Sequence, residues 1–238
     1  MKSAAKARSI PKAGSTNVRP LRRAAALGDA PADIRDAISR LKRDSIVAAA
    51  VELFYKQGYA RTTLEQVADA INVTKPFIYS HFRSKADLLA EICSRAIRLA
   101  HDSLNRNLGM QGTPTEKLEA IARDFMATVL SHQGHAMIYS REETELEPEA
   151  REAINTLRRE FDRRLVEVLE AGVATGEFTV DDVPLAALSI GGIVGWGPVW
   201  YRPNGRLTLE EVADGVAQLV LNMVRAKAPR RKRTAAAR

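Results

Sequence analysis

Within Lys75–Phe82 stand a lysine, a tyrosine, a serine and a histidine, interleaved with Pro76, Phe77, Ile78 and Phe82. Wound as a helix at about 100° per residue, the segment puts Ile78 and Phe82 on an inward face. Pro76, Phe77, Ser80 and His81 point outward, with Lys75 and Tyr79 on the flank. A polar and aromatic outer face on so small a helix suits the DNA major groove. There Phe77 could touch a thymine methyl, and Lys75, Tyr79 and His81 could bond phosphates. A surface turn of an ordinary helical bundle gives the same pattern. His132 and His135, three apart, could place two imidazoles on one face as metal ligands. Gly134 between them weakens that helix and no third ligand can be named, so surface or hydrogen-bonding histidines are expected and no metal. The carboxylates of Glu142–Glu149 read as a solvated helix start with favourable dipole placement. No nucleophile–base motif or phosphate-binding glycine loop is visible, and neither catalytic residues nor a cofactor is expected.

These groups need a scaffold, and the sequence supplies helices. Of 238 residues, 36 are Lys or Arg, 29 are Asp or Glu, and one is Cys. The net charge of +7 is unevenly spread: residues 1–43 carry +8, residues 225–238 carry +7 and the body between them −8. Bulk basicity therefore says nothing about nucleic acid binding by the folded body. The tails could hold polyanions weakly or simply be solvated. Residues 1–39 read as a mostly disordered basic arm, 31–42 could form a weak helical turn or two leading into the body, and 227–238 read as a basic disordered tail. The single Cys93 excludes an internal disulfide framework, and no signal-peptide run follows the N-terminus, so a cytoplasmic protein is expected.

From Asp44 onward the apolar periodicity is helical and strand alternation is absent. A helix from about Arg40 to Gln57 carries Ile46, Ala49, Ala50, Leu53 and Phe54. Thr63 with Gln66 forms a capping box, Asn72 suits a left-handed turn, and Thr74 caps a short helix that tolerates Pro76 in its first turn. Ser84 with Asp87 opens a long helix through Leu104. Pro114 starts another, an irregular stretch surrounds Gly134, and a shorter helix runs through Met137 to Glu145. Pro148 opens a long amphipathic helix ended by Gly176. A last helix covers about Thr208–Arg225. The fold class is all-α: a three-helix helix-turn-helix unit (residues 40–100, with the motif at 63–82) followed by a larger bundle (101–226).

Gly58-Tyr59, Thr62-Thr63, Val67-Ala68, Val73-Thr74, Ile78-Tyr79, His81-Phe82 and Ser84-Lys85 together strongly resemble the DNA-binding domain of the TetR family of bacterial transcriptional regulators. Asn72 stands where the turn usually has Gly, and Pro76 where Gly is frequent. The resemblance implies phosphate contacts from Thr62 or Thr63, Lys75, Tyr79, His81 and Lys85, and base contacts from the Pro76–Phe77 and Ser80 region. Thr63 could instead serve only as a cap, and Tyr79 be partly core. The partner implied is double-stranded DNA, read as a palindrome by a homodimer.

Residues 183–201 are 19 uncharged residues in succession, with Gly191, Gly192, Gly195, Gly197 and Pro198 among them. The length would just span a bilayer, and a membrane-tethered or polyanion-scaffolding helical protein is the alternative reading. The prolines and glycines, and the lack of a second span, favour a helix buried on all sides. Helices 148–175 and 183–201 are then expected to supply a dimer interface through Ile154, Leu157, Phe161, Leu165, Val168, Leu188, Gly191 and Gly195, a pairing the family resemblance also implies; packing within one chain is the other reading. No membrane partner is expected.

The resemblance further implies a small-molecule effector in the larger domain. Met110, Phe125, Met126, Met137, Tyr139, Trp196 and Trp200 are candidates for an apolar cavity, though ordinary core explains any one of them. Arg141 and Arg202 could meet a carboxylate or phosphate. Tyr139-Ser-Arg-Glu-Glu, Pro148-Glu, Gly176-Glu-Phe and Trp200-Tyr-Arg-Pro-Asn-Gly-Arg are similar to a TetR subgroup associated with fatty-acid, steroid and aromatic-acid catabolism. Some members of that subgroup release DNA on binding acyl-CoA thioesters, so the likeness implies a repressor released by a small apolar or acyl-CoA-type effector.

Overall fold

The computed structural model describes residues 32–225; most of the basic arm expected at 1–39 and all of the tail expected at 227–238 lie outside them. Every regular element among the described residues is helical. In order they are α1 (Ala32–Gln57), α2 (Leu64–Ala70), α3 (Lys75–Tyr79), α4 (Lys85–Leu108), α5 (Pro114–Ser131), α6 (Gln133–Glu142), a 3-10 turn (Glu143–Glu145), α7 (Pro148–Ala174), α8 (Val183–Trp200) and α9 (Leu209–Arg225). Helix α1 starts well before Arg40, so part of the expected arm is helical. The described residues before Lys42 belong to a separate unit, in which Arg40 Nε donates to Asp36 O.

The helix starts follow local chemistry. Thr63 and Gln66 form the expected reciprocal capping box on α2, and Thr113 with Glu116 forms another on α5. Ser84 accepts from Asp87 N at the start of α4. Asn72 sits at φ 54°, in the left-handed region that its short amide side chain tolerates. Thr74 precedes α3, but its side chain makes no capping bond. Pro76 has removed the N2 donor, and Phe77 N is already bonded to Thr74 O. Gly134 is not in an irregular stretch but within α6, where a Cβ would lie 2.6 Å from Val51 Cγ1 of α1.

Two apolar clusters form from residue 42 onward. The first joins Ile46, Ala50, Phe54, Val67, Ile78, Phe82, Leu88 and Ile92 with Ile138, Leu146 and Ile154 from α6, its exit turn and α7. The second joins the far half of α4 with α5, α7, α8 and α9 around Leu104, Met126, Leu165, Ile190 and Val220. Helix α4 belongs to both clusters. Burial of this scale is what holds helices as short as α2 and α3 together, since neither would persist alone in water.

The stripe expected on α7 for dimer contacts is spent inside the chain. Ile154, Phe161, Leu165 and Val168 are buried and Leu157 is half-buried. Conversely α8 is not buried all round. It is long and apolar enough to cross a membrane by length and composition, but Ala187, Ile190, Val194 and Gly197 pack into the bundle, and Leu185, Leu188, Ile193, Trp196 and Trp200 face outward.

Candidate functional site

Two sites take shape, one around α2–α3 and one midway along α4. In the first, the turn between α2 and α3 brings Glu65 and Lys75 into an ion pair with both side chains about half exposed. The Lys75 hydrogen bond holds the Glu65 carboxyl below its usual range, and Glu65 holds the ammonium above its own. Lys75 also lies 5.8 Å from the centre of the Tyr79 ring. Tyr79 is 47% exposed, so it belongs to the surface and not to the core. Pro76 and Ser80 are exposed, with the Ser80 hydroxyl donating to Phe77 O at 2.7 Å.

Phe77 departs from its expected outward aim. It is half-buried against the first cluster, with His81 at 5.1 Å between ring centroids and Lys42 Nζ at 5.7 Å. His81 is held below the usual imidazole range by desolvation first, then by the charges of Lys42 and Arg43. Its carbonyl accepts from Arg43 Nη1 at 2.7 Å, and the Arg43 guanidinium lies over Phe82. Arg43 also pairs with Glu91, which gathers Arg95 and Arg98 as well and ties α1 to α4.

Two expected phosphate contacts are corrected. Thr62 is buried, its hydroxyl donating to Gly58 O and accepting from Gln57 Nε2. Lys85 is turned back into the protein: its ammonium donates to Tyr59 O, Ala60 O and Thr62 O, and lies 4.2 Å from the Tyr59 ring centre. It fastens the α1–α2 turn to the start of α4, where a phosphate cannot reach its spent donors. Thr63 keeps its capping role and stays exposed. Sequence reading passed over two groups beside these, Lys42 next to Phe77 and Arg83, whose side chain is 91% exposed, and it took Thr74 only for a cap, whereas its exposed side chain makes no capping bond. Neither the unused N-cap hydroxyl of Thr74 nor the position of Lys42 was foreseeable: Asp182 caps α8 despite Pro184 at the same N2 position, and only folding brings α1 against α3.

The second site is a cavity of about 450 Å³ lined from α4, α5, α6, α7 and α8. Its body is apolar, from Ile97, Ala100, Phe125, Val129, Phe161 and Leu188, and one end is polar, from Tyr139, Ser140, Glu143, Arg158 and Asp162. The Tyr139 hydroxyl is buried without a well-formed hydrogen bond. Burial pushes the Asp162 carboxyl up, against the pull of Arg158. Arg158 stands 3.9 Å from Glu143 and stays half exposed.

Of the expected lining only Phe125 and Tyr139 reach this cavity. Met126 is core, against Gly197 of α8, where a Cβ would come within 3.0 Å of its Sδ. Met137 is buried, and Met110 lies in the α4–α5 loop. Arg141 lies over Tyr55, and Arg202 is turned onto the Val199 and Tyr201 carbonyls at the end of α8. Trp196 and Trp200 line a separate open groove between α8 and α9, with Gly192, Gly215 and Leu219. Among the described residues no three His, Cys, Asp or Glu side chains cluster to hold a metal. His132 instead uses Nδ1 on Thr128 O, and its ring stands 6.1 Å from that of His135. Cys93 is wholly buried and its thiol is pushed up to about 12.

Comparison with known proteins agrees with this geometry. Residues 46–92 match the family described as bacterial regulatory proteins, tetR family, and residues 111–224 match the tetracyclin repressor-like C-terminal domain. The HTH-type transcriptional repressor KstR2 of Rhodococcus jostii (strain RHA1) is 30% identical over 187 residues, covering 76% of this chain and 90% of the relative. The crystal structure of PfmR, a TetR family transcriptional regulator from Thermus thermophilus, superposes with a TM-score of 0.70 at 28% identity, over 74% of this chain and 97% of that one. AibR in complex with isovaleryl coenzyme A and operator DNA gives a TM-score of 0.67 at 27% identity, over 77% and 98%.

Proposed function

The chain belongs to the TetR family of bacterial transcriptional regulators, and its relatives include the transcriptional repressor KstR2; from that premise we propose that it is a homodimeric repressor released from a palindromic operator by a small amphipathic effector. The observation that carries this reading is a shared pair of residues. Ile97 and Tyr139 line the cavity and also pack against the cluster that supports α2 and α3. A ligand that displaces either side chain acts directly on the DNA-reading unit. Helix α4, anchored at Lys85 to the α1–α2 turn and lining the cavity at Ala96, Ile97 and Ala100, is the connecting rod. Its effector changes affinity for DNA only by binding the two arrangements unequally.

In this reading residues 40–100 grip DNA and 101–226 hold effector and partner, with the cavity drawing on both. Thr63, Thr74, Lys75, Tyr79, His81, Lys42 and Arg83 contact phosphates, and Pro76, Ser80 and the edge of Phe77 meet bases. Two copies read two half-sites, as helix-turn-helix dimers do. The dimer face is the outward side of α8 with α9, in place of the α7 stripe. The cavity suits an acyl group against Phe125, Val129 and Phe161, with its polar remainder near Tyr139 and Arg158. The AibR complex with isovaleryl coenzyme A supports an acyl thioester as the class. Native mass spectrometry of the purified chain, followed by operator binding with and without a panel of acyl-CoA thioesters, tests the proposal. A dimer whose DNA affinity falls with one of them is the expected result; a monomer, or a complex indifferent to all of them and to their free acids, overturns it.

A further inference from the structure

The wall that α8 gives to the cavity is unfinished. At about 100° per residue, its circumference divides into a core side (Ala187, Ile190, Val194), a cavity side (Leu188, Gly191, Gly192, Gly195) and an outward side (Leu185, Trp196, Trp200). Cavity side and outward side adjoin. Leu188 lines the cavity and is nonetheless 60% exposed. A Cβ built on Gly191, Gly192 or Gly195 would meet nothing within 4 Å. Gly192 borders both the cavity and the open groove toward α9. An apolar ligand in this cavity would thus have bare glycine backbone and an exposed leucine on one side.

A second copy of the chain is the cover that fits. About a two-fold axis the same patch meets itself, so a charged face sets like charges against like. The outward side of α7 carries Arg159, Glu160, Arg163 and Glu167. From Val183 to Tyr201 there is no charge at all, and the patch continues into Leu219 of α9, itself 60% exposed. We infer that the effector cavity is completed in trans, the partner's α8 closing the Leu188–Gly195 wall, so that filling the cavity and assembling the dimer are thermodynamically linked. This rests on the dimeric reading above and adds that the sensing site of one protomer is incomplete without the other. The glycines then admit the partner helix closely enough to seal the wall.

The test needs no knowledge of the ligand. Ala100 lines the cavity and is 8% exposed, while the native Cys93 is wholly buried. In Ala100→Cys the new thiol reports access through the cavity mouth to an aromatic disulfide reagent, and Cys93 reports any opening of the fold. Trp196→Glu, outside the cavity, is added to break the interface, and sedimentation gives the assembly state. The expected result is slow labelling in the dimer, labelling at least tenfold faster in the Trp196→Glu monomer, and a silent Cys93 in both. A monomer whose thiol reacts at the dimer's rate overturns the inference and leaves the dimer reading standing. A Trp196→Glu protein that stays dimeric overturns the inference together with the α8 face as interface, and leaves the homodimer itself standing. Should Cys93 react in the double variant, dilution of Ala100→Cys alone decides. A labelling rate that climbs as dimers dissociate supports closure in trans, and a constant rate overturns it.

Discussion

Glu65 of α2 holds Lys75 of α3 in an ion pair across the turn between the two helices. The cation proposed to meet a phosphate is therefore already partnered, and in that proposal binding DNA exchanges one anion for another. Both groups are solvated, so the exchange is cheap.

Glu65→Gln should release Lys75 and tighten operator binding roughly two- to fivefold at low salt, an effect that shrinks as salt rises. Lys75→Ala should weaken binding to all sequences alike and lower the slope of log affinity against log salt by about one. Fluorescence anisotropy over a salt series measures both. An unchanged slope in Lys75→Ala would show that Lys75 touches no phosphate.

If His81 contacts a phosphate as proposed, DNA binding should depend on pH. Desolvation and the neighbouring Lys42 and Arg43 hold it below the ordinary imidazole value in the free protein, which favours its neutral form. Its contribution to folding stability is accordingly present above about pH 6.5 and lost as pH falls. A phosphate beside the ring favours the charged form, so DNA binding takes up a proton and strengthens as pH is lowered from about 7.5 to 6. His81→Asn should flatten that dependence while leaving most of the affinity at pH 8. Equal pH slopes for the two proteins would remove His81 from the interface.

Arg158 and Tyr139 sit at the polar end of the cavity, outside the DNA-contacting surface. Arg158→Gln should raise the effector concentration needed for release by about tenfold, the scale of one charge-assisted hydrogen bond, with operator affinity unchanged. Tyr139→Phe should have a smaller effect of the same kind. Titration calorimetry with the effector, beside anisotropy without it, separates these outcomes. Loss of DNA binding in Arg158→Gln would place Arg158 in the fold of the reading unit and not at the effector.

Gly172 and Phe178 test the bundle. A Cβ at 172 would fall 2.0 Å from Phe178 Cδ2, and Phe178 is buried with its N–H donating to Gly172 O at 3.0 Å. Gly172→Ala should cost about 1–3 kcal/mol by overpacking, read from urea denaturation, and the double variant with Phe178→Leu should recover part of it. A fully stable Gly172→Ala would mean the ring moves aside freely.

Much of this was legible in the residue string, and for local reasons. Thr63 with Gln66, Ser84 with Asp87 and the left-handed Asn72 are short-range devices whose geometry depends on neighbours a few residues away. Helix periodicity is local too, and so are the paired motifs that carry the family resemblance. What the string could not determine was which partner each side chain finds. Ile154, Phe161, Leu165 and Val168 form an apolar stripe that fits an interface between chains or a core within one; only packing against α4, α5 and α8 assigns it to the core. The uncharged run of α8 says equally little about which of its sides is covered. Lys85 is a lysine beside a DNA-reading helix until folding brings the carbonyls of Tyr59, Ala60 and Thr62 within reach of its ammonium. Trp196 and Arg202 looked like lining by composition, while the cavity took Ala100, Arg158 and Asp162 from helices far apart in the chain. Side-chain type and short-range spacing fix what a residue is able to do; whether its donors are spent and its surface covered depends on distant segments, and tertiary packing alone decides that.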